Sequence, residues 1–198
     1  MPAGRATRNT RTRTRIKRAF TELIGERGLD ALTVSDLTRR AGINRGTFYL
    51  HFIDKYDLLE QLEGDFMAHL EEILLRPRDG GAAGLPEMFP RAAILESLEF
   101  ASGDLEFVSA IAGRNGDAQF STKLRQVMGS LLDQGLATTR QHVDGRGVFG
   151  EDYARELVLD HVLTIISLWL KRGGAETPER VADMISSARD LRPSDLIA

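Results

Sequence analysis

A glycine with helix-forming sequence on both sides does more than any other feature to limit what this chain can become. Residues 33–55 read TVSDLTRRAGINRGTFYLHFIDK. Thr33-Val34-Ser35-Asp36 has the spacing of a capping box, with a hydroxyl residue followed three positions later by an acid. The Thr33 hydroxyl can accept an otherwise unpaired backbone N–H, and Asp36 favours the positive start of a helix. Val34, Leu37 and Ala41 recur at helical spacing and define a buried face. Gly42 permits the left-handed backbone that stops a helix and turns the chain. Ile43 plugs the turn, and Asn44 can cap a second helix. On that helix Phe48 and Phe52 point inward, while Thr47, Tyr49 and His51 point elsewhere. Two short helices joined by a tight glycine turn form a helix-turn-helix, whose second helix can enter a major groove.

The flanking sequence continues in helical periods. Ile16, Phe20, Leu23 and Ile24 form the stripe of a first helix that Gly28 ends, and Leu29 and Leu32 pin its exit to a small core. Leu59, Leu62, Phe66, Leu70 and Ile73 follow at spacings of three and four, which predicts a long fourth helix from about Lys55 to Leu75. Pro77-Arg78-Asp79-Gly80-Gly81 through Gly84 and Pro86 is loop chemistry. Further helices are predicted at 87–101, 104–113, 118–140, 151–172 and 178–189. Asp104 and Pro178 are the starts there; Gly103, Gly113 and Gly173-Gly174 are the stops. No alternating strand pattern of useful length occurs. The predicted class is all-α, with about nine helices. An N-terminal three-helix domain occupies 1–54, its residues 1–14 a flexible basic arm, and a C-terminal helical domain occupies 55–198.

Charge divides the chain at the same place. Residues 1–55 hold 12 Lys/Arg against 5 Asp/Glu, a net of +7; residues 56–198 hold 14 against 24, a net of −10. A modest overall charge therefore hides a basic front end on an acidic body, the electrostatic footprint of a nucleic-acid-binding domain joined to one that is not. Cysteine is absent, so disulfides and thiolate metal sites are excluded and a reducing cytoplasm is permitted. The start MPAGRATRNTRTRTRIKR has no apolar stretch and does not read as a secretory signal. The most apolar segment, Leu157–Leu170, spans 14 residues and contains Asp160 and His161, too short and too polar for a bilayer. A soluble cytoplasmic protein with no membrane partner is expected.

Catalysis is not expected. No nucleophile elbow, zinc-protease helix or phosphate loop occurs, and the histidines are scattered at 51, 69, 142 and 161. Gly145-Arg146-Gly147-Val148-Phe149-Gly150 matches a dinucleotide-binding glycine pattern but has no strand before it, so it reads as a loop and no cofactor is expected. Asp65 and His69 lie four apart on the fourth helix, but two ligands do not make a site, and no metal is expected.

The stretch Ala41-Gly42-Ile43-Asn44-Arg45-Gly46-Thr47-Phe48-Tyr49-Leu50-His51-Phe52, followed by Asp54-Lys55-Tyr56-Asp57-Leu58-Leu59, resembles the DNA-binding domain of the tetracycline-repressor (TetR/AcrR) family. The resemblance covers residues 15–62, about a quarter of the chain. It implies a sequence-specific transcriptional regulator, in the usual case a repressor that a small-molecule effector releases from a palindromic operator on double-stranded DNA. The open alternative is a regulator or activator controlled by a protein partner. The candidate DNA contacts are Thr33, Arg45, Gly46, Thr47, Tyr49, His51 and Lys55. A guanidinium at Arg45 can bond guanine bidentately. Gly46 leaves the helix bare for close approach or a thymine methyl. Hydroxyls at Thr47 and Tyr49 suit phosphate oxygens. His51 can contact phosphate or cap the helix end. Lys55 and Thr33 stand at helix starts, where N–H groups bind phosphate. Arg11 and Arg13 can follow the DNA backbone or enter the minor groove. The resemblance implies DNA contacts at the matching positions.

One helix-turn-helix offers little specific area, which a dimer remedies by reading two half-sites about one helical turn, or a multiple, apart. The best dimer surface is 151–172 together with 178–189, where Leu157, Val158, Leu163, Ile165, Ile166, Leu168, Trp169 and Leu170 are apolar around much of the helix. A four-helix bundle of two such pairs resembles how the family dimerises. The resemblance also implies a small-molecule site in the body, with Phe100, Phe107, Phe120, Met128, Tyr153, His161 and Trp169 as candidate lining beside Phe89 and Phe149. Asp160 and His161, a polar pair inside an apolar helix, need partners there.

Overall fold

The computed structural model describes residues 3–76, 90–113, 116–117, 119–139 and 151–187. Among them all regular structure is helical: α1 (Ala3–Arg27), α2 (Val34–Ala41), α3 (Arg45–Tyr49), α4 (Lys55–Leu75), α5 (Arg91–Ser102), α6 (Leu105–Ala112), α7 (Phe120–Thr139), α8 (Glu151–Lys171) and α9 (Pro178–Ser187). Two ends differ from expectation. α1 begins at Ala3 rather than near residue 15, so residues 3–14, expected as a flexible arm, prolong the helix. The segment contains no proline beyond Pro2, and its arginines are good helix formers. α5 begins after Pro90, which has no N–H to give an earlier turn.

The chain divides into two compact units, Met1–Phe66 with Glu106–Phe120, and Met67–Leu105 with Ser121–Ala198. The boundary therefore lies inside α4 rather than at its first residue, and α6 belongs to the first unit.

In the first unit Phe20, Leu37, Phe48, Leu58, Phe107, Ile111 and Phe120 are fully buried. Leu37, Thr38 and Ala41 form the inward face of α2, with Val34 half-buried at its rim. Arg40 clamps α2 to α1, donating to Glu22 at 3.0 Å and to Glu26 at 2.8 and 2.9 Å. Its hydrogen bonds hold both carboxyls below the usual range. Gly42 ends α2 at φ +62, and its carbonyl accepts from Arg15 at 2.8 Å. α6 supplies Phe107, whose ring lies 4.5 Å from the Lys17 ammonium, and Phe120 packs on Phe66 with centroids 6.3 Å apart.

In the second unit α9 packs on both α5 and α8. Arg91 of α5 reaches Asp183 of α9 at 2.6 Å. α8 ends at Gly173 and Gly174, φ +64 and +69, a left-handed turn that the sequence expected there. The turn returns the Glu176 carbonyl to the buried Trp169 indole N–H at 2.9 Å. α7 and α8 are tied by alternating charges: Arg125 bridges Glu156 and Asp160, and Arg155 bridges Glu156 and Asp133. Among the described residues no helix is long and apolar enough to cross a membrane.

Candidate nucleic-acid interface

α3 is short, and its direction is set by its ends. Asn44, extended at φ −85 and ψ 161, accepts from the Thr47 N–H at 2.7 Å and from the Thr47 hydroxyl at 2.9 Å. Phe48 anchors the helix from below, in edge contact with Tyr49 and tilted against Phe52, with centroids 5.6 Å apart in each pair. What remains outward is Arg45, Gly46, Tyr49 and Leu50. The Arg45 guanidinium donates to the Tyr49 hydroxyl at 3.1 Å and lies 5.8 Å from its ring centroid. The phenol therefore keeps its own proton for an outside acceptor, and the arginine is held along the helix rather than swinging free.

Several expected contacts spend their donors within the fold. The Thr33 hydroxyl accepts from the Asp36 N–H at 3.1 Å and donates to the Asp36 carboxylate at 2.6 Å. That hydroxyl, then Arg39 and Arg27, holds the Asp36 carboxyl below its ordinary range. Thr47 gives its proton to the Asn44 cap. Lys55 donates to the carbonyls of Leu29, Asp30 and Leu32, each at 2.9 Å, and so ties down the exit of α1. The second and third N–H groups of α4, those of Tyr56 and Asp57, are capped by Asp54 at 2.8 and 2.9 Å. His51 is half-buried, its ring 6.1 Å from that of Phe52. Arg13 lies over the Phe52 ring at 5.3 Å and reaches Gln61 and Asp65 at 3.3 and 3.5 Å, whereas Arg11 is exposed. Sequence reasoning missed two outward residues, Leu50, 83% exposed, and Ile53, 79% exposed. Leu50 falls off the Phe48–Phe52 period, which is the signal that could have found it, whereas Ile53 lies beyond α3 and carried none.

Gly46 can be tested separately from the fold. A Cβ there would meet nothing closer than the Asn44 side-chain oxygen at 3.4 Å. Gly46→Ala is expected to leave the melting temperature unchanged or raise it, since alanine is favoured in a helix by about 1 kcal/mol. It should weaken duplex binding by about 1–3 kcal/mol if DNA approaches this backbone, the usual cost of an added methyl in a filled contact. A titration with unaltered affinity would show that nothing comes close.

The effector candidates are split. Phe107 and Phe120 lie in the first unit, and Phe100, Met128, Tyr153, His161 and Trp169 in the second. Within the second, Met128 and Trp169 are buried, the Phe100 ring lies tilted against that of His69 with centroids 4.5 Å apart, and Tyr153 is 74% exposed. Phe89, Phe149 and the glycine pattern at 145–150 lie outside the described residues. Asp160, expected with His161 as a buried polar residue in need of a partner, is instead exposed and paired with Arg125 at 2.7 Å. The apolar residues of α8 do not encircle it, and this side turns toward α7. The buried His161 Nε2 has no hydrogen-bond partner among the described residues. The Asp65 carboxylate goes to Arg13, and no group of three or more metal-ligating side chains occurs among the described residues.

Comparison with known proteins follows this geometry. Residues 16–62 match the sequence model of the bacterial regulatory proteins of the tetR family. Over 55 residues the chain is 38% identical to YvdT of Bacillus subtilis, an HTH-type transcriptional regulator, a match covering 28% of each protein. Over 65 residues it is 35% identical to the HTH-type transcriptional repressor BepR of Brucella suis, covering 33% of this chain and 31% of that one. The chain thus aligns with less than a third of the length of these relatives, and only at the helix-turn-helix. Its fold extends further. A TetR transcriptional regulator from Streptococcus agalactiae superposes with a TM-score of 0.64 over 95% of this chain and 98% of that one, at 20% identity. Residues 16–62 thus match the N-terminal domain of the tetR family of bacterial regulatory proteins, and the helical fold is similar to that of the Streptococcus agalactiae regulator.

Proposed function

We propose that this protein is a cytoplasmic, sequence-specific DNA-binding transcriptional regulator, a repressor that binds a palindromic operator as a homodimer and leaves it when a small-molecule effector binds. The observation that carries the reading is the outer face of α3. Arg45 and Tyr49 are exposed, hydrogen-bonded to each other and carried on a helix-turn-helix within a segment of net charge +7. The contact set is Arg45, Gly46 and Tyr49 toward the groove, with Thr33, Thr47, His51 and Lys55 shaping and flanking it. Residues 1–54 supply the reading domain, supported by residues 55–66 and 106–120 of the same compact unit, and the rest of 55–198 supplies the regulatory and dimerisation domain.

Dimerisation is supported by α8. Leu159, Val162, Trp169 and Leu170 face the protomer's own core, while Leu157, Thr164 and Leu168 recur at spacings of seven and four on the opposite, exposed face, with the half-buried His161 at its edge. Leu157 and Leu168 are exposed. That spacing is the seam a second helix fills. Release follows if the effector binds one arrangement of the dimer more tightly than the DNA-binding one, because operator affinity then falls by the same ratio.

Selection of bound sequences from a random duplex library tests the function. Enrichment of an inverted repeat is expected, and Arg45→Ala should then lose about 1–3 kcal/mol of discrimination at one position per half-site. No enrichment over the starting library removes the proposal.

A further inference from the structure

The most exposed large apolar side chain on the described surface is Leu50, on the reading helix itself. Its direction follows from Phe48. An α-helix turns about 100° per residue, so the positions two before and two after Phe48 point furthest from it. Those are Gly46 and Leu50. Leu50 still has helical dihedrals, φ −74 and ψ −18, and its N–H donates to the Gly46 carbonyl at 3.2 Å, so the geometry holds to that point. The outward ridge of α3 is therefore a bare backbone followed, one turn later, by an isobutyl group. Ile53 extends the apolar surface toward α4, held by its N–H bond to Asp57 at 2.7 Å.

A leucine can bond neither a phosphate nor a base-edge donor or acceptor. The apolar feature that the major groove presents is the 5-methyl group of thymine. Arg45 stands five residues earlier, at the start of the same helix, and the first 55 residues carry a net charge of +7, which suits a polyanion better than a second protein surface. Resting on the DNA-reading assignment above, we propose that Leu50 contacts a thymine methyl, making it a specificity-determining residue that reads a T·A pair in each half-site.

The test uses the full-length native protein and the duplex enriched by selection. Each thymine is replaced in turn by deoxyuridine, which removes the methyl and keeps base pairing. Native protein should lose about fourfold in affinity at one thymine per half-site, the value of one buried methyl-sized group. With Leu50→Ala, which alters an exposed side chain and should melt like the native protein, binding to the thymine duplex should weaken and that deoxyuridine effect should vanish. The proposal is overturned if no thymine matters, or if Leu50→Ala keeps the same sensitivity. It is overturned as well if Leu50→Ala binds DNA like the native protein, which would assign the surface to a protein partner. Failure to enrich any sequence removes the DNA-reading assignment and this proposal with it, and is distinguishable from all three.

Discussion

A chain carrying Leu157→Glu and Leu168→Glu is expected to be a folded monomer whose affinity for a two-half-site duplex is about 10²–10⁴-fold below that of the native protein. Both leucines are exposed in the protomer and lie on the face of α8 turned away from its buried residues. A glutamate at either position meets water in the monomer and costs the fold little. Across the two-fold axis of the proposed dimer the same face meets its own copy, so each substitution is present twice and sets like charges in a seam that excludes water. The loss of DNA affinity follows from linkage. When one half-site is held, the second binds at the effective concentration that the dimer provides, and a monomer forfeits that gain. Sedimentation should give the monomer mass at native helix content, and the half-site affinity should be unchanged. A variant that remains dimeric would place the interface elsewhere.

Replacing Lys55 by methionine is expected to destabilise the first unit by about 3 kcal/mol. The ammonium satisfies three carbonyls at the exit of α1, and methionine keeps the stem while removing every donor. Each bond to a charged group contributes about 1.5–3 kcal/mol, and water recovers part of the sum, since the Asp30 carbonyl lies near the surface. Urea unfolding should show a lower midpoint at unchanged slope. At low temperature, where the variant is folded, duplex affinity should stay within about twofold of native. The opposite pattern, native stability with DNA binding lost, would give Lys55 the phosphate contact that its place at a helix start first indicated.

Lys55 also illustrates what a sequence can reveal about this molecule. The position of the residue at the start of α4 was legible, because the leucines that follow it keep helical spacing through Ile73. Its partners were not, because they are carbonyls of residues 29, 30 and 32, set by how α1 ends. The caps were readable for the same local reason. Thr33, Gly42, Asn44 and Gly173-Gly174 each act on neighbours within five residues, and each does what its chemistry indicates. The membership of α6 was not readable. Phe107, Val108 and Ile111 make an apolar face like that of any body helix, and only the tertiary fold places it with the first unit. Asp160 misled because its neighbours are apolar, while the charge that answers it, Arg125, lies 35 residues away. At the candidate interface, Arg45 and Tyr49 were legible as residue types suited to DNA on the second helix of a helix-turn-helix. Leu50 was legible only in direction, since two positions after the inward Phe48 it falls off the buried stripe, while its full exposure appears only in the fold.

The central claim is that α3 reads duplex DNA. Its most direct measurement is a pair of equilibrium titrations, by fluorescence anisotropy, against the selected duplex and a scrambled duplex of the same composition over a series of salt concentrations. The account predicts an affinity ratio of about 10³ or more in favour of the selected duplex. It also predicts that binding to both duplexes weakens linearly in log–log form as salt rises. Equal affinity for the two duplexes, or binding indifferent to salt, would contradict it.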